Sequence, residues 1–194
     1  MKYIPLLLLV ACCGCEPPAV TAPPFEPVKA AELAMQEYDT NGDGKIDKTE
    51  AKKTVMDPKK GWDNDGDGSI TAEEIQARLE RYEQLKAGIQ TIACTVKWRG
   101  DYLPNAEVLF EPEAFLGESI VPAEGTTDGY GQAEIIAPSI AAEDPTLQGM
   151  REGLYRVRIT HPDVKIPKRY NEETTLFFEL SPMDNTLMPT FNLR

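Results

Sequence analysis

Oxygen-bearing side chains recur at fixed spacing in two stretches of this chain. The first places Asp39, Asn41, Asp43, Asp47 and Glu50, and the second, 24 residues later, places Asp63, Asp65, Asp67, Thr71 and Glu74. Both fit the pattern Asp-x-Asp/Asn-x-Asp/Asn-Gly-x5-Glu without a departure. Oxygen donors at every second residue, closed by a glutamate, suit a hard divalent cation. Ca²⁺ takes six to eight oxygens at about 2.3–2.6 Å. As such a segment curls, its first, third and fifth side chains turn inward. Gly44 and Gly68, at the sixth position of each stretch, permit the sharp turn that this curl needs.

On these residues the two stretches resemble EF-hand loops. The resemblance implies that the seventh position gives its backbone carbonyl, so Lys45 and Ser69 need no particular side chain. It implies that Asp47 and Thr71, at the ninth position, contribute directly or through water, and that Glu50 and Glu74 each supply two oxygens. The metal set is then Asp39, Asn41, Asp43, Lys45, Asp47 and Glu50 in one site, and Asp63, Asp65, Asp67, Ser69, Thr71 and Glu74 in the other, for two Ca²⁺ ions. Ile46 and Ile70, at the eighth position, are expected to form the short antiparallel bridge of a paired EF-hand. Tyr38 and Trp62 each precede the first position, where EF-hands commonly place an aromatic on the core.

The elements that must hold these loops are short. Pro27 opens a run with apolar residues at Ala30, Leu33, Ala34 and Tyr38, the spacing of a helix over 28–38. Thr71 can cap a second helix over 72–86, with Ile75, Leu79, Tyr82 and Leu85 as its apolar stripe. Only residues 51–62 separate the loops, with Asp57-Pro58 inside and Gly61 near the end, so the intervening helices must be brief and broken near Pro58. This compactness resembles bacterial calcium-binding repeats and, more loosely, dockerin modules. Met35 and Met56 are the only methionines in the module, too few for the Met-rich groove of an opening sensor.

From about residue 90 the pattern changes to period-two alternation with turn residues. Strands are predicted over 91–98, 106–111, 132–137, 153–160, 174–180 and 187–193, with a further short one near 119–127. The segment 138–152 reads as a surface loop, and Asp128 as a hairpin-turn residue accepting local hydrogen bonds. Six or seven short strands in this length fit an antiparallel sandwich. The motifs TVKWRGDYLPNAEVLFEP, GTTDGYGQAEI and GLYRVRITHPDVKIPKRYNEETTLFFEL follow in an order similar to the transthyretin-like, carboxypeptidase-regulatory-like domains of bacterial, planctomycete-type lipoproteins. That resemblance covers roughly residues 90–194. It implies a small prealbumin-like sandwich of accessory or structural role, with no catalytic residues. The expected fold class is α+β in two domains: a helical EF-hand pair over 28–87, then the sandwich over 88–194.

Residues 1–15 read MKYIPLLLLVACCGC: a positive start and a short apolar run, too short to span a bilayer, then cysteines. Leu9-Val10-Ala11-Cys12 resembles a bacterial lipobox, which makes residues 1–11 a lipoprotein signal peptide and Cys12 the lipidated residue, with Cys15 as the alternative. An ordinary secretory signal with incidental cysteines is the other reading. Residues 12–27 then form an anchor and a tether that holds five of the chain's 16 prolines. The expected place is the bacterial cell envelope, with the chain held to a membrane by lipid. Only Cys94 lies in the body of the chain, which leaves no internal disulfide framework, and its alternating apolar surroundings predict a buried thiol.

The net charge of −12, from 32 acidic and 20 basic residues, argues against a nucleic-acid partner. Residues 28–87 carry 14 acidic and 10 basic side chains, and residues 88–194 carry 16 and 9. In the sandwich the acids, among them Glu111, Glu113, Glu172 and Glu173, read as solvated surface. His161, the only histidine, sits in a His-Pro-Asp turn. No phosphate-cradling glycine loop or nucleophile elbow occurs. A non-enzymatic calcium-binding protein is therefore the leading expectation. A dockerin-like module for a cell-envelope protein partner, or a sandwich for a small ligand or carbohydrate, is the alternative.

Overall fold

A computed structural model of the chain describes residues 26–54, 56–85, 88–184 and 186–194. The expected signal peptide, the expected lipidation site Cys12 and the expected tether up to residue 25 lie outside the described residues. Helix α1 (Pro27–Tyr38) starts on a proline, whose missing N–H would have had no helical partner there. It buries Ala30, Ala31, Ala34 and Tyr38. Leu33, expected inward, is exposed, and Ala31 takes the inner face instead. A face of small residues lets α1 lie close along the second helix. Between the loops, among the described residues, the chain makes only single 3-10 turns, Ala51–Lys53 and Pro58–Lys60. The Asp57 carboxylate accepts the Lys59 N–H at 3.0 Å and opens the second turn. Helix α2 (Ala72–Gln84) begins in a capping box formed by Thr71 and Glu74. It buries Ile75, Leu79 and Tyr82, while Leu85, just past its end, is exposed.

The rest of the chain is strands. They are β1 (Ile89–Gln90), β2 (Ile92–Trp98), β3 (Asp101–Tyr102), β4 (Glu107–Pro112), β5 (Ala123–Thr126), β6 (Gln132–Ile135), β7 (Met150–Arg151), β8 (Gly153–Thr160), β9 (Phe177–Leu180) and β10 (Thr190–Leu193). One sheet runs β5-β4-β8-β9 and is antiparallel throughout. The other centres on β2, which pairs with β3, β6 and β10. β1 and β7 pair separately. Phe110 of β4 meets Phe191 of β10 edge-on at 6.0 Å, one of the contacts that join the two sheets into a sandwich-like body. Phe110 also meets Tyr155 and Phe178 of its own sheet at 6.2 and 5.6 Å.

Further expectations change: the strands number ten, not six or seven, because β1, β3 and β7 are two-residue strands. β10 pairs with β2 in parallel, not antiparallel, with Thr190 opposite Thr95 and Leu193 opposite Trp98. Alternation of side chains records which face is buried and says nothing of strand direction. The segment 138–152 is not all loop: it holds helix α3 (Pro138–Glu143), started by its proline and pinned by buried Ile140, and then β7. Glu113, expected in solvent, is only 1% exposed. Cys94 is buried as expected, and burial pushes its thiol up to about 12. Asp128 also fulfils its expected role, accepting the N–H groups of Tyr130 and Gln132 at 2.8 and 3.0 Å.

The helical pair does not stand apart from the sheets. Its buried side chains and those of the strands form one continuous apolar cluster. Tyr38 packs edge-on against Phe115, in the turn after β4, at 6.2 Å. Among the described residues no helix is long and apolar enough to cross a membrane.

Candidate metal centre

Both loops close on the same frame of hydrogen bonds. In the first, Asp39 accepts the N–H groups of Gly42 and Gly44 on its two oxygens at 2.7 and 2.9 Å. Asn41 accepts from Asp43 at 2.8 Å, and Asp43 from Lys45 at 3.0 Å. Glu50 takes the N–H groups of Thr40 and Asn41 on Oε1 at 2.8 and 3.2 Å, and that of Asp47 on Oε2 at 3.0 Å. The second loop repeats each of these seven bonds. Asp63 accepts from Gly66 and Gly68, Asp65 from Asp67, Asp67 from Ser69, and Glu74 from Asn64, Asp65 and Thr71, all within 2.6–3.3 Å. These bonds fix the side chains of each loop against its own backbone. The aspartates keep further lone pairs for a cation, whereas Glu50 and Glu74 each already accept four hydrogen bonds, some of which a cation would have to replace.

The glycines at the sixth position make the curl possible. Gly44 and Gly68 have φ of +84° and +90°, a conformation that strains any side-chain-bearing residue. The loops are joined by the expected bridge, with Ile46 and Ile70 exchanging N–H···O bonds of 2.8 and 3.0 Å. Both isoleucines are fully buried, so the bridge also roots the loops in the core.

In the second loop Asp63, Asp65 and Asp67 bring one carboxylate oxygen each within 4.8 Å of one another. In the first, Asn41 stands where the second loop has Asp65, and its amide donates to Asp43 at 3.2 Å. An all-oxygen donor set of this kind fits a hard cation such as Ca²⁺ better than one that prefers nitrogen or sulfur. Hydrogen bonds, first among them that from the Thr40 hydroxyl, hold the Glu50 carboxyl below its usual range. For Glu74, burial pulls upward, and the bonds from Thr71, Asn64 and Asp65 outweigh it, so its carboxyl is also lowered.

Lys45 has a side-chain role that the spacing does not predict. Its backbone belongs to the first loop, but its ammonium reaches Asp67 of the second at 2.5 Å. That contact lowers the Asp67 carboxyl and raises Lys45. Nothing in the spacing predicts it, because it depends on how the two loops face each other. Tyr38 and Trp62 lie buried as expected. Each also donates a hydrogen bond to a glutamate of the sandwich, Glu113 and Glu179 respectively. His161 sits in a turn, as expected: its Nδ1 accepts the N–H groups of Asp163 and Val164, so Nε2 carries the proton to the Pro104 carbonyl at 2.9 Å.

A family model described as EF hand matches residues 32–56 and 63–79, which brackets both loops. No curated protein and no solved structure matches the chain. The match and the aspartate cluster together suggest calcium binding.

Proposed function

We propose that this chain binds two Ca²⁺ ions, one in each loop, and that it serves as a lipid-anchored, non-enzymatic protein of a bacterial cell envelope. The observation that carries the calcium reading is the hydrogen-bond frame repeated bond for bond in the two loops. Asp39, Asn41, Asp43, Asp47 and Glu50 would hold the first ion together with the Lys45 carbonyl. Asp63, Asp65, Asp67, Thr71 and Glu74 would hold the second together with the Ser69 carbonyl. The ions would add stability by binding the folded chain alone.

The anchored placement is supported by the lipobox-like Leu9-Val10-Ala11-Cys12 and the Pro-rich tether behind it. The transthyretin-like reading of the sandwich is supported by the order of its sequence motifs and by two facing sheets that share Phe110 and Phe191. A free docking face of dockerin type is disfavoured, because Tyr38, Trp62 and Tyr82 of the helical pair are already turned against the sandwich. Thermal unfolding in excess Ca²⁺ and in EDTA tests the calcium reading, which requires a lower melting temperature in EDTA. Equal melting in both, with no change in tryptophan emission on adding Ca²⁺, would contradict it.

A further inference from the structure

The residues that enter the two loops are held by the sandwich in the same way. Tyr38 immediately precedes Asp39, and its hydroxyl donates to Glu113 Oε2 at 2.7 Å. Trp62 immediately precedes Asp63, and its indole N–H donates to Glu179 Oε2 at 3.0 Å. Neither glutamate belongs to the helical module: Glu113 follows β4 and Glu179 lies in β9.

Glu179 gathers more than the entering side. Its Oε1 accepts from Arg78 Nε at 3.0 Å, from Arg78 Nη2 at 2.8 Å and from the Tyr82 hydroxyl at 2.7 Å. Arg78 and Tyr82 stand on α2, four and eight residues beyond Glu74, and so lie along one face of that helix. Arg78 in turn covers the Trp62 ring at 4.8 Å and donates to the Gly61 carbonyl at 3.0 Å. One carboxylate therefore fixes the residue before Asp63 and the helix that carries Glu74, the two ends of the second loop. For the first loop, among the described residues, the contact of Glu113 is with the entering side. Arg156 donates to Glu113 at 3.1 Å, to the Tyr38 hydroxyl at 2.6 Å and to Glu37 at 2.6 Å.

We infer that Glu113 and Glu179 are positioning residues for calcium: from within the sandwich they set the placement of the first and second loops, Glu179 by clamping both ends of its loop. This rests on the calcium reading. A site whose first and twelfth positions are held at the right separation loses less freedom on binding, so it binds more tightly. Linkage requires the reverse as well: calcium tightens the hold of the loops on the sandwich.

The test is calorimetric Ca²⁺ titration of the full chain, read one loop at a time by disabling the other with Glu50→Gln or Glu74→Gln. Glu179→Gln should weaken the Asp63–Glu74 loop by about tenfold and leave the other within about twofold. Glu113→Gln should weaken the Asp39–Glu50 loop, by a smaller factor. Far-UV circular dichroism in EDTA reports whether each variant is folded. Tyr38→Phe, which keeps the ring and deletes only the donor, gives the same site-selective reading for the first loop should Glu113→Gln fail to fold, and Tyr82→Phe, which deletes one donor to Glu179, gives it for the second. Folded variants that keep both affinities, or that weaken both loops equally, overturn the inference. A parent chain that takes up no Ca²⁺ overturns the calcium reading itself, so the two failures are distinct.

Discussion

Lys45 places a positive charge against a carboxylate of the neighbouring loop, where a divalent cation would compete with it. Its expected ligand atom is the backbone carbonyl, so its side chain is free to change. Lys45→Met should therefore raise the affinity of the second loop, by roughly threefold given what exposed ion pairs contribute. The gain should shrink in high salt; a titration at two ionic strengths checks both points. Glu50→Gln and Glu74→Gln should each weaken their own site most, through loss of charge and of two-oxygen coordination, which calorimetry on each variant resolves. Without metal, both glutamates have carboxyls held below their usual range by hydrogen bonds. A group lowered on folding stabilises the chain above its unfolded value, and that stability is lost as pH falls through the folded value. Thermal unfolding in EDTA should thus show stability falling as pH drops below the ordinary carboxylate value of 4.5. At the sulfur, a fully buried thiol pushed up to about 12 holds almost no thiolate at neutral pH. Peptide mapping after alkylation of the native protein should find Cys94 unmodified and find it reactive after unfolding.

At the scale of elements, α2 owes its start to Thr71, which also occupies the ninth position of the second loop. Thr71→Ala, measured in EDTA so that only the cap is at stake, should cost about 1 kcal/mol of stability by denaturant unfolding. The loops and their flanking helices were legible in the sequence because cation chemistry dictates a residue type at nearly every second position, and because Pro27 and Thr71 mark helix starts. The longer strands were legible from alternation, with β9 and β10 beginning three residues later than expected, but the two-residue strands β1, β3 and β7, which bring the six or seven expected to ten, are too short to alternate. The parallel pairing of β2 with β10 was not, since both directions give the same alternation. Nor was the role of Glu113 and Glu179. A glutamate opposite Phe178 and Leu180 reads as solvent-facing until α2 is laid over that side. Phe177, which shares the Glu179 side of β9, was the available hint: a large apolar residue there points to a covered face.

At the scale of the whole molecule, the acidity has three origins. On the calcium reading, part is ligand chemistry: residues 28–87 carry a net −4, which two Ca²⁺ would bring to about zero. Part is solvated surface. The rest is turned inward, in Glu113 under α1, in Glu179 under α2, and in Glu152, which accepts the Gly88 N–H at 2.6 Å. Because helices and sheets share one apolar cluster, calcium bound in the loops should stabilise the sandwich too, and the chain should unfold in one transition whose midpoint rises with Ca²⁺. If the calcium reading holds, each of the two loops takes one Ca²⁺ ion. Isothermal titration of the metal-stripped full chain with Ca²⁺ tests it most directly. Saturable binding with a stoichiometry of about two is expected, falling to about one in Glu50→Gln or Glu74→Gln as each site is weakened. A titration that shows no saturable binding, or a stoichiometry untouched by either substitution, would contradict it.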